Sequence, residues 1–303
     1  MSRTNRDCAY SGEGELKKFG LVVKKTNPKA IGLASEIAAW AARNNAEVYV
    51  EGSLSGEVKP STAAPLEKMP ELVDVIVVLG GDGTMLSAAR LIKGRKVPIL
   101  GVNMGGLGFL TAITINEAFL LLERILKDDI ILEERMMLSV ATLRNGTVVS
   151  EHDVLNDAVI KGESGRLVRL ETRINREYVT TYRADGLIMA TPTGSTAYSL
   201  SAAGPILYPT IHSIIVAPIC PFNLTNRPVV IPDWMTVDVA LMSHHGNTAL
   251  VLDGQVDIPL NQGDIVQVKR SASSVYLVRY DGKGYFDILR ERLMWEVKDE
   301  KNG

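Results

Sequence analysis

Gly80-Gly81-Asp82-Gly83-Thr84 follows directly on the apolar run Val75-Ile76-Val77-Val78-Leu79, so a buried strand runs into glycines and one carboxylate. This is a pattern for phosphate chemistry. Glycines let backbone amides approach an anion closely, and a helix opening near Thr84 directs the positive end of its dipole at a phosphate. Asp82 is the exception in that loop. A carboxylate there repels phosphate unless it holds a magnesium ion or takes a proton from an attacking hydroxyl, which points to phosphoryl transfer more than to passive nucleotide binding. Gly-Asp-Gly is also ordinary turn chemistry, and a plain strand-to-helix turn accounts for the same residues. No G-x-x-x-x-G-K-[ST] occurs in the chain, which leaves the P-loop NTPases without support. Gly81-Asp82-Gly83 and Gly106-Leu107-Gly108 both lack the third glycine of a dinucleotide fingerprint.

A second polar cluster lies further on. Arg183-Ala184-Asp185-Gly186 leads into the apolar run Leu187-Ile188-Met189-Ala190, and then into Thr191-Pro192-Thr193-Gly194-Ser195-Thr196-Ala197-Tyr198-Ser199-Leu200-Ser201. Hydroxyls and glycine at a strand end, opening a helix near Thr196, offer hydrogen bonds and close backbone approach to a ligand rich in hydroxyls and phosphates. The plainer reading is a Ser/Thr-rich helix cap followed by a small-residue helix packed in the core. Asn156-Asp157 reads by itself as an Asx-type turn between strands.

The elements that must carry these clusters change character once, near residues 130 to 140. Before that point strands and helices alternate. Leu21 to Val23 reads as a strand, Ile31, Ile37, Ala38 and Trp40 as one face of an amphipathic helix, and Val48 to Val50 as the next strand. The strand of residues 74 to 79, the glycine loop, a helix from about Thr84 to Ile92 and a strand from Val97 to Val102 continue the pattern. Thr114-Ile115-Asn116-Glu117 is a capping box for a helix to about Lys127. The loop at residue 80 therefore sits at the carboxyl end of a strand, where open α/β sheets bind ligands.

From Met137 onward strands alternate with turn residues. Leu138 to Arg144 and Thr147 to Ser150 flank the hairpin turn Asn145-Gly146, and further strands are expected over 167–174, 177–182, 236–241, 249–252, 265–270 and 275–280. Helical spacing returns in Phe286, Leu289, Leu293 and Met294. The expected architecture is an α/β N-terminal domain with a Rossmann-like parallel sheet, residues 1–135, joined to an all-β antiparallel sandwich, residues 136–280. Residues 281–303 are expected to pack back on the first.

Composition narrows the function classes. The 303 residues carry a formal charge of −2 and 46% hydrophobic residues, which allows a large core and argues against nucleic acid or an anionic membrane as the main partner. Cys8 and Cys220 are the only cysteines and nothing resembles a signal peptide, so a cytoplasmic location is expected. No apolar run reaches bilayer-spanning length. His244 and His245 would point apart on a strand, and His152 and His212 stand alone, so zinc has little support.

These residues together resemble the NAD kinase family. The resemblance rests on Gly80 to Thr84, on Leu155-Asn156-Asp157, and above all on Asp185-Gly186-Leu187-Ile188 with Thr191 to Ser201. Residues 103–109, Pro218-Ile219-Cys220-Pro221, Leu224-Thr225-Asn226-Arg227-Pro228 and Asp253-Gly254-Gln255 also fit, and the match runs from about residue 75 to 290. It implies transfer of the γ-phosphate of ATP, or of phosphate from polyphosphate, to the 2′-hydroxyl of the adenosine ribose of NAD. A divalent ion, magnesium or manganese, accompanies ATP and is held mainly by its phosphates, with no metal ligand from the protein. A homodimer or homotetramer is implied.

By the same resemblance Asp82 is the general base, with Gly83 beside it. The dinucleotide is contacted by Asn156, Asp157, Arg183, Asp185, Thr193, Thr196, Ala197, Tyr198, Ser199, Leu200, Ser201 and Gln255. A carboxylate such as Asp157 accepts hydrogen bonds from vicinal ribose hydroxyls, which an apolar pocket could not select. Asp157 stands where the family more often has glutamate, Phe222-Asn223 where it has a histidine and a small polar residue, and Ala203 where glycine is common. The segment from Asn156 to Leu167 is one residue short, so the place of a basic ligand falls to Arg166 or is vacant. Two other readings stay open at this level: a lipid or sugar kinase sharing Gly-Gly-Asp-Gly, and a non-catalytic NAD(P)-binding sensor.

Overall fold

The computed structural model describes residues 8–9, 17–106, 108–111, 113–163, 166–243 and 247–295; His244, His245 and Leu107 lie outside them. The chain divides into two units, one of residues 1–134 with 275–303 and one of residues 135–274. Among the described residues no helix is long and apolar enough to cross a membrane.

The first unit is α/β. Its elements are β1 (Cys8–Ala9), β2 (Lys18–Val23), α1 (Pro28–Arg43), β3 (Glu47–Glu51), β4 (Thr62–Ala64), α2 (Met69–Leu72), β5 (Val75–Gly80), α3 (Asp82–Ile92), β6 (Ile99–Asn103) and α4 (Ile115–Leu126). Strands pair in parallel in the order β4-β3-β2-β5-β6. All residues of β5 and β6 are buried, as strands covered on both faces by helices must be. From the β2–β5 pair the chain order runs outward in both directions, so the carboxyl ends of these two strands form a switch point. In α1 the buried Ala30, Leu33, Ala34, Ile37, Ala38 and Ala41 recur at helical spacing, and Asn27 caps the start by accepting from the Lys29 amide at 3.0 Å. The capping box of α4 forms, with the Thr114 amide donating to Glu117 at 2.8 Å.

The chain enters the second unit along β7 (Ile131–Arg144). There follow β8 (Thr147–Val154), β9 (Asp157–Lys161), β10 (Val168–Ile174), β11 (Glu177–Ala184), β12 (Gly186–Ala190), α5 (Tyr198–Ser201), β13 (Ser213–Ile219), β14 (Val229–Pro232), β15 (Val237–Leu241), β16 (Thr248–Leu252), β17 (Val256–Leu260) and β18 (Ile265–Arg279). The β7–β8 turn is Asn145-Gly146 with φ of 50° and 78°, the conformation this dipeptide favours. One antiparallel sheet runs β14-β13-β12-β9-β16-β17, and β11, β10, β15 and the first part of β18 lie in a second. Their inner faces share one core that includes Ile160, Leu187, Met189 and Leu250 from one sheet and Leu170, Val239 and Val268 from the other. This is an antiparallel sandwich. On the outer face of the six-stranded sheet, Val159, Ile188, Ala190 and Ile215 pack against Ala202 and Leu207, so the segment after β12 covers that face.

Three sequence expectations change. Helix α3 opens at Asp82 rather than near Thr84, because extended Gly81 (φ −117°, ψ −170°) already serves as its cap. No helix opens at Thr196: a 3₁₀ turn over Thr193–Thr196 is broken at Ala197 (ψ −134°), and only the four-residue α5 follows. Residues 265–270 and 275–279 belong to one strand, β18, since small Ser271 to Ser274 stay extended instead of turning. The last helix, α6 (Tyr285–Leu293), belongs to the first unit.

Candidate active site

In the first unit the site grows from the carboxyl ends of β5 and β6, where Gly80 and Asn103 are register partners. Asn103 is buried and organises the loop that follows it. Its Nδ2 donates to Gly106 O at 2.9 Å and to Thr111 O and Oγ1 at 3.1 and 2.9 Å, while its Oδ1 accepts from the Gly105 amide at 2.7 Å. Asp82, in the first turn of α3, faces the same loop. Its Oδ1 accepts from the amides of Leu110 and Thr111 at 3.0 and 3.1 Å and from Thr111 Oγ1 at 3.1 Å. Its Oδ2 accepts from the Phe109 amide at 2.9 Å. The two oxygens are therefore unequal: Oδ1 carries three donors, and Oδ2 carries one and keeps lone-pair capacity. The acidic group also sits where a helix dipole favours negative charge. The Arg292 guanidinium of α6 lies 5.4 Å from the Phe109 ring centroid and braces the loop from outside.

In the second unit a cleft of about 520 Å³ opens beside β9, β16 and β17. Asn156, Asp157, Ala197 and Tyr198 line it, together with Val159, Lys161, Gly162, Asn247, Ala249, Val251, Asp253, Gly254 and Asp257. Asp157 is 4% exposed. Burial, and then the charge of Asp253, raise its carboxyl from 3.8 to about 7. Thr191 ties the strand end to this cleft: its Oγ1 donates to Leu155 O at 2.6 Å and accepts from the Gly194 amide at 3.0 Å. Glycine is required at 194, where a Cβ would stand 2.1 Å from Asn156 O.

The remaining sequence-derived positions do not line this cleft. Buried Thr193 meets Arg135 Nη1 at 3.3 Å, and Thr196 Oγ1 donates back to Thr193 O at 3.3 Å. Ser199 is buried, and its hydroxyl finds no hydrogen-bond partner among the described residues. Leu200 and Ser201 complete the short α5. Arg183 is exposed and its guanidinium stacks 4.7 Å from the centroid of Phe222, while Asp185, Arg166 and Gln255 are exposed on their turns. Gly83 is exposed in the first turn of α3. Among the described residues no three His, Cys, Asp or Glu are grouped to hold a metal ion.

Sequence reasoning placed Asp253 in a family motif without assigning it a role, and did not single out Lys161, Asn247 or Asp257, nor the backbone amides of residues 109–111. Asp253-Gly254 carries a visible signal, but for a hairpin turn: the φ values of 49° and 63° join β16 to β17 in that way. What its carboxylate does lies about a hundred residues away.

Comparison with known proteins bears on both units. The ATP-NAD kinase N-terminal domain model matches residues 19–130 and the ATP-NAD kinase C-terminal domain model residues 155–280. The NAD kinase of Geobacter sulfurreducens is 47% identical over 281 residues, and that of Geotalea daltonii 44% identical over 281 residues; each match spans 92% of this chain and 99% of the relative. Two solved structures share the fold at 24% identity. Yeast NADH kinase complexed with NADH has a TM-score of 0.86 over 96% of this chain and 91% of its own. An Archaeoglobus fulgidus NAD kinase in complex with ATP has a TM-score of 0.74 over 90% of this chain and 99% of its own. The chain belongs to the NAD kinase family.

Proposed function

We propose that this chain transfers the γ-phosphate of ATP to the 2′-hydroxyl of the adenosine ribose of NAD, giving NADP and ADP. The observation that carries the reading is the unequal Asp82 carboxylate. Three donors fix Oδ1, so the group is oriented before substrate arrives, and Oδ2 retains capacity to accept a hydroxyl proton. In the step, the 2′-oxygen forms a bond to the γ-phosphorus and its proton passes to Asp82 Oδ2. The bond from the γ-phosphorus to the bridging oxygen breaks, and ADP leaves. Gly83 and the first turn of α3 give backbone and dipole to the phosphates. A magnesium or manganese ion that enters with ATP supplies charge neutralisation on the phosphate oxygens.

The second unit supplies recognition of the acceptor. Asn156 and Asp157 are assigned to the adenosine end of NAD, where the carboxylate accepts from ribose hydroxyls and the carboxamide both donates and accepts. Ala197 and Tyr198 line the same cleft. Thr193, Thr196, Ser199, Leu200, Ser201, Arg183, Asp185, Gln255 and Arg166 are assigned supporting contacts. Against a kinase for lipid or sugar stands the stretch Thr191 to Ser201, which fits the NAD kinase pattern. Cysteine usage leads us to place the protein in the cytoplasm, and the family resemblance to assign a homodimer or homotetramer, the latter tested by light scattering on the purified protein.

The deciding experiment is an assay of purified protein with NAD, ATP and magnesium, with diacylglycerol and fructose 6-phosphate as control acceptors and polyphosphate as an alternative donor. NADP formation from NAD and no product from the controls is expected. Binding of NAD without NADP formation would leave a sensor.

A further inference from the structure

All six backbone polar atoms of Leu155, Asn156 and Asp157 have partners, and the three amides all donate to one side chain distant in sequence. Asp253 Oδ2 accepts from the Leu155 amide at 3.1 Å, and Oδ1 accepts from the amides of Asn156 and Asp157 at 2.7 and 3.2 Å. The Asp253 amide donates to Asp157 O at 2.9 Å. The two remaining carbonyls are bound by Thr191, whose Oγ1 donates to Leu155 O and whose amide donates to Asn156 O at 2.9 Å. The stretch is thus clamped from both sides. With the backbone so occupied, the side chains of Asn156 and Asp157 are the groups left for the cleft, which both of them line.

An ordinary hairpin turn does not explain this. Within the turn itself the Gln255 amide donates to Leu252 O, so the Asp253 carboxylate is not closing its own turn. Asp253 is 6% exposed and stands beside buried Asp157, and two carboxylates buried together repel. Stability alone would favour neutral groups here, and such costs are kept where a site needs them. Resting on the NAD kinase reading above, we infer that Asp253 is a positioning residue for NAD: its carboxylate sets the orientation in which Asn156 and Asp157 meet the acceptor.

The test is Asp253→Asn in the full chain, with NAD binding and both steady-state constants measured. A carboxamide places an NH₂ against amide donors and loses at least one charge-assisted bond. The KM and Kd for NAD should rise roughly 10- to 100-fold while kcat and the KM for ATP stay within about 3-fold. Asp264→Asn serves as the control, because it breaks the Arg144 pair at 2.8 Å elsewhere in the same unit and should lower thermal stability without touching the KM for NAD. Should Asp253→Asn not fold, Thr191→Val removes the hydroxyl bond to Leu155 O on the opposite side of the clamp and must still raise the KM for NAD selectively. A folded Asp253→Asn, or in its absence Thr191→Val, with an unchanged KM for NAD overturns the inference alone. Wild-type protein that binds no NAD overturns the kinase reading and this inference with it.

Discussion

A Cβ at Gly108 would stand 2.1 Å from Asp82 Oδ1, so the loop residue and the proposed base fit only because one of them has no side chain. Gly108→Ala should push the carboxylate out of the cradle formed by the amides of 109–111. Displacement of a reacting group by about 1 Å costs on the order of 10²-fold in turnover. The expected outcome is a kcat loss of about that size with NAD affinity retained, read by steady-state kinetics alongside calorimetric binding. Wild-type turnover in this variant would mean the contact is irrelevant to chemistry.

Asp157 gives a pH signature. Its carboxyl is raised from 3.8 to about 7 by burial and by Asp253. The folded chain therefore holds a proton that the unfolded chain releases between about pH 4 and pH 7, so this group lowers stability progressively as pH rises through that window. Below it both states are protonated and the cost is absent; above it the cost is complete. The charged and titratable groups lining the same cleft are Asp253, Asp257, Lys161 and Tyr198. Asp157→Asn stays neutral throughout, so its thermal midpoint relative to wild type should be higher at pH 8 than at pH 5, by several degrees. A difference that does not change with pH would place the raised group elsewhere.

Ala203 adopts φ 60°, the left-handed region, just after α5. A residue with a Cβ pays roughly 1–2 kcal/mol there, part of which glycine returns as unfolded-state entropy. Ala203→Gly should thus stabilise the protein by about 0.5–1 kcal/mol, measured as a higher urea midpoint. A lower midpoint would show that the local backbone is not strained.

The parts of the fold that were legible are those set by local chemistry. Thr114 and Glu117 announce their helix because both hydrogen-bonding groups lie within one turn, and Asn145-Gly146 announces its hairpin because few residues tolerate both positive φ values. The strand into Gly80 and the glycine loop after it were readable for the same reason. Strand β13 was not anticipated, since Pro218 interrupts its apolar run, yet all seven of its residues are buried. The helix expected at Thr196 failed because the backbone at Ala197 breaks it, which no side chain there signals. Asn156, Asp157 and Tyr198, which line the cleft, were named as candidates by residue type and resemblance. The amides that hold Asp82 belong to Phe109, Leu110 and Thr111, and a backbone N–H leaves no mark in a sequence. Asp253 was visible only as part of a family motif; it forms the turn between β16 and β17, and its bonds to residues 155–157 appear only when β9 and β16 pair.

The most direct test of the account is Asp82→Asn, assayed for NADP formation from NAD and ATP with NAD binding measured in parallel. The variant keeps the size of the side chain and removes its ability to take up the hydroxyl proton. A kcat lower by about 10²- to 10⁴-fold, with NAD affinity near that of wild type, is the result expected of a lost general base. Turnover close to wild type would contradict the role assigned to Asp82.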